Sequence, residues 1–132
     1  MPRFPKTERL TNKAHFESLI KGGISVGAYP IRLIVKELPL STEAPYQIAF
    51  AVGKRRFKKA TDRNHMKRRL REAWRLNKED FLSLLHRALN AEKLAILIVY
   101  TSEEKESVEK LEKALFKAQA RILEKISRSS AQ

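Results

Sequence analysis

The seven residues LAILIVY, Leu94 to Tyr100, contain no polar position on either side of a strand. Successive strand side chains point to opposite faces, so an all-apolar run is stable only where both faces are covered. This stretch predicts the central strand of a sheet, and the rest of the chain has to supply the layers that cover it. At 132 residues the chain is expected to form a single domain, 1–132, large enough to bury a core.

The remaining elements follow from periodicity and punctuation. YPIRLIVKEL, Tyr29 to Leu38, is rich in β-branched residues and predicts a strand closed by Pro39; LSTEAP is a turn or loop. YQIAFAVG, Tyr46 to Gly53, alternates cleanly, with Tyr46, Ile48, Phe50 and Val52 on one face and Gln47, Ala49, Ala51 and Gly53 on the other. The large side chains suggest core. The small ones leave room for close approach, either by a packed helix or by a ligand in a groove.

Helices are expected from Asn12 to Lys21, capped by Thr11 and stopped by Gly22 and Gly23, with Phe16, Leu19 and Ile20 sharing a face. Others are expected from Arg63 to Asn77, from Lys78 to Asn90 and from about Glu106 to Ile126. The last carries Val108, Leu111, Leu115, Ile122 and Ile126 on one stripe. Residues 1–10 read as an extended arm and 127–132 as a frayed tail. The order of elements predicts an α+β fold, a single-domain α/β sandwich with one mixed central sheet.

Charge narrows the function. Lys and Arg number 28 against 15 Asp and Glu, a formal net charge of +13, which points to a phosphate-rich partner. An anionic membrane surface is the other source of attraction, but the apolar stripes have the size of core stripes. No cysteine is present, which removes disulfides, thiolate metal sites and cysteine nucleophiles. With no apolar leader and no run long enough to span a bilayer, the expected location is cytoplasmic.

The positive charge is concentrated. From Lys54 to Arg75 there are 11 Lys or Arg and two acids, Asp62 and Glu72, in 22 residues. On a helix at about 100° per residue, Met66, Leu70, Ala73 and Trp74 fall together on one face. Beside them Asn64, Lys67, Arg68, Arg71 and Arg75 form a second face, with His65 and Arg69 on the far flank. Thr61 or Asp62 is the expected N-cap. So many like charges repel one another unless an anion lies between them. Arginine and asparagine suit phosphate and ribose because they offer several directed donors.

The stretch ATDRNHMKRRLREAWRLNK resembles the signature helix of the bacterial ribonuclease P protein subunit, and FAVGKRRFKKA and ERLTNKAHF resemble that family's strand with basic loop and its N-terminal segment. The likeness covers most of the chain in order and spacing. It departs at His65, where the family has arginine, and between Arg75 and Leu94, where the family has a shorter connection.

The resemblance implies a fold like the second domain of ribosomal protein S5, with a left-handed crossover. It also implies an accessory role in an endoribonuclease whose RNA subunit, with bound magnesium, removes the 5′ leader of precursor tRNA. The implied contacts to catalytic RNA are Arg63, Asn64, His65, Lys67, Arg68, Arg69, Arg71 and Arg75. The implied contacts to leader or precursor tRNA are Phe16, Ile20, Tyr29, Lys54, Arg55, Arg56, Lys58 and Lys59. No small-molecule substrate, membrane partner or metal held by the protein alone is implied.

The residues themselves supply no catalytic set. His15, His65 and His86 are dispersed, and Glu103, Glu104 and Glu106 lie near a helix start, where acids favour the dipole. Two rivals share the basic helix. A general RNA-binding or ribosomal protein would not need an aromatic cleft, and a DNA-binding helix would ordinarily follow another helix and a short turn.

Overall fold

The computed structural model describes residues 8–40 and 44–130; the start of the expected arm, part of the LSTEAP loop and the last two residues lie outside them. Three helices and four strands follow one another: α1 (Lys13–Gly22), β1 (Ile24–Ala28), β2 (Ile31–Glu37), β3 (Tyr46–Val52), α2 (Ala60–Leu89), β4 (Leu94–Tyr100) and α3 (Val108–Ser130). The sheet order is β1-β2-β4-β3, so LAILIVY is central as expected, antiparallel to β2 and parallel to β3. The parallel pair β3–β4 is joined through α2, because parallel neighbours need a long crossover.

Register sorts the sheet into two faces. On one, the rows Ile31–Tyr100–Val52, Leu33–Ile98–Phe50 and Val35–Ile96–Ile48 run across β2, β4 and β3. Beneath them α2 and α3 contribute Met66, Leu70, Trp74, Phe81, Leu85, Leu111, Leu115 and Ile122 to one continuous core. The opposite face carries Arg32–Val99–Ala51, Ile34–Leu97–Ala49 and Lys36–Ala95–Gln47. A second, smaller core forms there from Leu10, Leu19, Ile34, Leu38, Leu40, Ala95 and Leu97. Both faces of β4 are therefore covered, as its composition demands.

The structure corrects several boundaries. β1 was not expected; ISVGA is short, contains a glycine and a serine, and becomes a strand by pairing antiparallel with Ile31–Val35. Tyr29 and Pro30 form the turn before β2, so the strand expected from Tyr29 begins at Ile31.

The cap of α1 is Asn12, whose Oδ1 accepts from the His15 N–H, and not Thr11. Gly22 closes the helix and Gly23 lies past its end. A Cβ on Gly23 would collide with the Leu19 carbonyl and come within 2.6 Å of Ile34 Cγ2.

The two helices expected on either side of Asn77 are one helix of 30 residues, ending at Asn90 in the left-handed conformation. At 1.5 Å per residue α2 is about 45 Å long, against about 23 Å for a seven-residue strand. Its second half cannot lie over the sheet, and it packs on α3 instead. α3 runs on through Ser130, past the expected end at Ile126. It also closes the edge strand β1, where Arg121 donates to the Gly27 carbonyl and Lys125 to that of Ser25. Among the described residues no helix is long and apolar enough to cross a membrane.

Candidate nucleic-acid interface

The loop from Gly53 to Lys59 and the start of α2 are built as a unit. Phe57 is buried with its ring 5.9 Å from that of Tyr100, which pins the loop to the end of the sheet. Arg63 Nη1 donates to the Phe57 and Lys58 carbonyls at 2.9 Å each, tying loop to helix. That leaves Lys54, Arg55, Arg56, Lys58 and Lys59 exposed at the mouth of a helix whose N-terminal N–H groups attract anions.

The N-cap is Lys59, with no side-chain cap, rather than Thr61 or Asp62. Asp62 is turned to Lys105 Nζ at 2.8 Å, and that bond holds its carboxyl below the ordinary carboxylate range.

The apolar stripe of α2 is where the spacing put it: Met66, Leu70 and Ala73 are fully buried and Trp74 nearly so, its ring 6.0 Å from Tyr46 and 6.1 Å from Phe81. Anchoring that stripe fixes the outward face, and the cations on it divide by surroundings. Asn64, His65 and Arg68 are exposed and Lys67 half-buried, and none of them makes a side-chain hydrogen bond among the described residues. Arg71 is half-buried; burial first, and then the neighbouring charges of Arg9 and Arg68, hold its pKa below the usual arginine value. Three cations thus converge where the N-terminal arm passes α2.

Two other arginines are committed within the fold. Arg69 Nη1 donates to the Glu106 carbonyl at 2.8 Å, binding α2 to the segment before α3. Arg75 forms a two-point ion pair with Glu72, at 2.6 and 3.1 Å, which raises its own pKa and lowers that of the carboxylate. Arg63, as noted, is spent on the loop.

On the other face of the sheet a packed helix takes up part of the surface that the small residues leave. α1 packs on β2 and β4 and buries Leu19 over Ile34, Ala95 and Leu97. Phe16 is half-buried against the same cluster, as are Ala49, Ala51 and Val99. Beyond them the row Arg32–Val99–Ala51 opens to solvent, and Gly53 leaves free space where a side chain would stand. The result is a cleft with a small apolar floor, an aromatic wall and the basic loop at its end.

Of the other residues expected there, Ile20 is 62% exposed one turn further along α1, toward the opposite end of the sheet. Tyr29 is 70% exposed at the β1–β2 turn, where its hydroxyl donates to Ser102 Oγ at 3.0 Å. It shares the loop's end of the sheet, two strand spacings or about 10 Å from β3.

Two residues at this site were missed. Arg32 lies on the cleft row and donates to Ser25 Oγ at 2.7 Å; the alternation Arg32, Ile34, Lys36 in IRLIVK was the available signal. Arg9 pairs with Ile48 in a parallel bridge, and the Leu10 N–H donates to the Ile48 carbonyl, so the arm lengthens the sheet beside β3. Nothing local in the sequence announces that pairing.

Comparison with known proteins bears directly on this arrangement. The family model described as ribonuclease P matches residues 4–123. The chain belongs to the ribonuclease P protein component family.

A curated relative, the ribonuclease P protein component of Porphyromonas gingivalis, is 30% identical over 117 residues, covering 89% of this chain and 84% of that one. Another from Chlorobaculum tepidum is 39% identical over 70 residues, 53% of this chain and 41% of the relative. The fold matches the RNase P protein of Thermotoga maritima with a TM-score of 0.64 at 20% identity, over 86% of this chain and 96% of that one. It matches the Staphylococcus aureus protein with a TM-score of 0.62 at 18% identity, over 84% and 91%. The family assignment expected from the signature helix therefore stands, and so does the mixed α+β single-domain fold.

Proposed function

We propose that this chain is the subunit that binds the catalytic RNA of ribonuclease P through the outward face of α2 and holds the 5′ leader of precursor tRNA in the cleft between α1 and the sheet. The observation that carries this reading is the segregation of roles along one helix. A buried apolar stripe anchors α2, while Asn64, Lys67, Arg68 and Arg71 make no side-chain hydrogen bond or ion pair among the described residues and lie beside Arg9. Such a row suits the phosphates of a folded RNA, whose backbone supplies most of the affinity.

The cleft suits a single strand. Phe16 offers a stacking face, Ala49 and Ala51 let a backbone approach closely, and Arg32 and the loop cations Lys54, Arg55 and Arg56 steer phosphates toward it. Stacking of this kind tolerates any base.

Hydrolysis in this reading belongs to the RNA. Among the described residues no three His, Asp or Glu side chains gather into a group that could hold a metal ion. The protein's contribution is to bind, orient and screen charge.

Reconstitution tests the reading. Added to the cognate catalytic RNA, the chain is expected to lower the magnesium needed for cleavage and to tighten binding of precursor tRNA relative to mature tRNA. Equal affinity for the two tRNAs, with cleavage unchanged, would leave only a general RNA-binding protein.

A further inference from the structure

α1 enters beside β3, where the Leu10 N–H donates to the Ile48 carbonyl, and its end at Gly22 leads straight into β1. The cleft along it therefore crosses the strands instead of following one. A single row of the sheet marks its course, in which Ala51 lies against Val99, Val99 against Arg32 and Arg32 against Gly27. From β3 to β1 that row spans three strand spacings, about 14 Å.

At the far end of the row three cations gather on β1. Arg32 reaches across from β2 and donates to Ser25 Oγ at 2.7 Å, and a Cβ on Gly27 would stand 3.3 Å from its Nη2. Arg121 donates to the Gly27 carbonyl and Lys125 Nζ to that of Ser25 at 2.9 Å, both coming round the strand edge from α3. Ser25 and Gly27 are about 7 Å apart along the strand, so the charges gather within about one Debye length of one another.

All three side chains are exposed, and among the described residues none of them pairs with a carboxylate. Glu124, the acid next to Lys125 in the chain, is turned to Arg128. Protection of the β1 edge accounts for Arg121 and Lys125, but not for Arg32, which lies on the cleft face and turns to the same two residues. Without acids between them, the three repel one another unless an anion is present.

We propose that this anion is the phosphate backbone of the leader, carried past the aromatic part of the cleft to the β1 edge. The strand is then held at both ends of the row, by Lys54, Arg55 and Arg56 beside β3 and by Arg32, Arg121 and Lys125 at β1. This rests on the cleft being the leader's site. Ser25 and Gly27 leave room for a backbone at one end as Ala49 and Ala51 do at the other. Because the contact is to phosphate, it is indifferent to sequence and depends on how long the leader is.

The test uses the chain reconstituted with its cognate catalytic RNA, precursor tRNAs whose leaders are trimmed one nucleotide at a time, and mature tRNA as the baseline. Wild-type affinity should rise in two steps as the leader lengthens, the first removed by Phe16→Ala and the second seen only with longer leaders. Arg121→Gln with Lys125→Gln keeps a donor for each edge carbonyl but loses the charge. It should abolish the second step and leave the first. For the longest leaders the slope of log K against log salt should fall by about 1.4, so that the variant loses about sevenfold less affinity than the wild type between about 50 and 200 mM salt. Ser25→Asp, which leaves every cation in place and sets a carboxylate among them, should act alike, and it separates loss of charge from any loss of folding in the double variant.

A loss of affinity that is equal at every leader length, mature tRNA included, assigns the cluster to the tRNA body or the catalytic RNA and overturns the proposal. No loss in either variant leaves Arg121 and Lys125 as edge protection alone and overturns it too, while the first, Phe16-dependent step keeps the cleft as the leader's site. Absence of both steps in the wild type removes the cleft reading itself and the proposal with it.

Discussion

Arg68, Arg69 and Arg71 lie within four residues of one another, but their surroundings give two different expected outcomes. Arg68 is exposed with no bond among the described residues, and Arg71 is held half-buried among like charges, whereas Arg69 is bonded to the Glu106 carbonyl at 2.8 Å. Each phosphate neutralised contributes about 0.7 to 0.9 to the slope of log K against log salt. Arg68→Ala with Arg71→Ala should therefore flatten the salt dependence of catalytic-RNA binding by about 1.4 to 1.8.

Folding stability should not fall in that variant, because removing Arg71 also removes its repulsion by Arg9 and Arg68. Arg69→Ala should do the reverse. It loses a charged donor to a backbone acceptor, about 1–2 kcal/mol of folding stability, and leaves the slope almost unchanged. Fluorescence anisotropy across a KCl series, with urea unfolding of the same three proteins, separates the two effects. If Arg69→Ala flattens the slope as much as the double variant does, the cations have been sorted wrongly and the interface lies nearer α3.

Phe16→Ala should lower the preference for precursor over mature tRNA, while Ile20→Ala, at an exposed position toward the opposite end of the sheet, should leave it unchanged. Equal leader dependence in both variants, measured by competition binding, would remove α1 from the cleft. The Tyr46 hydroxyl donates to Glu8 Oε2 at 2.9 Å, and burial first, then Glu8, pushes its pKa well above the ordinary tyrosine value. The unfolded chain then loses this proton more readily, so the contribution is intact below about pH 10 and disappears as pH rises through the folded value. Tyr46→Phe should abolish that part of the alkaline loss in urea titrations; parallel losses in the two proteins would assign it to other groups.

What could be read from the chain, and what could not, divides by range. β4 was legible because seven apolar residues in succession have only one comfortable place in a sheet, and the α2 stripe because Met66, Leu70, Ala73 and Trp74 repeat at helical spacing. α2 was read as two helices because Leu76 to Asp80 interrupts the apolar stripe, though no glycine or proline breaks the backbone; α3 supplies the packing that carries the helix through.

β1 escaped notice because a five-residue segment with serine and glycine acquires its structure from β2 and α3. At the site, the positions of the cations were readable but their duties were not. Whether an arginine faces solvent or closes a loop depends on partners such as the Phe57 and Glu106 carbonyls, which are remote or lie off the helix. The arm beside β3 and the convergence of Arg9 with Arg71 are likewise products of the tertiary fold.

The continuity of α2 has a geometric consequence. A helix unbroken from Ala60 to Leu89 is a stiff rod, and its first turns carry the cation row while its later turns pack on α3. That junction with α3 is held at a set distance, about 30 Å along the axis, and at a set angle from whatever grips the cations. The chain is in this sense a ruler, and its spacing is written in the number of residues between Arg63 and Leu84. Inserting one residue there would turn one end about 100° relative to the other, a larger disturbance than the 1.5 Å it adds.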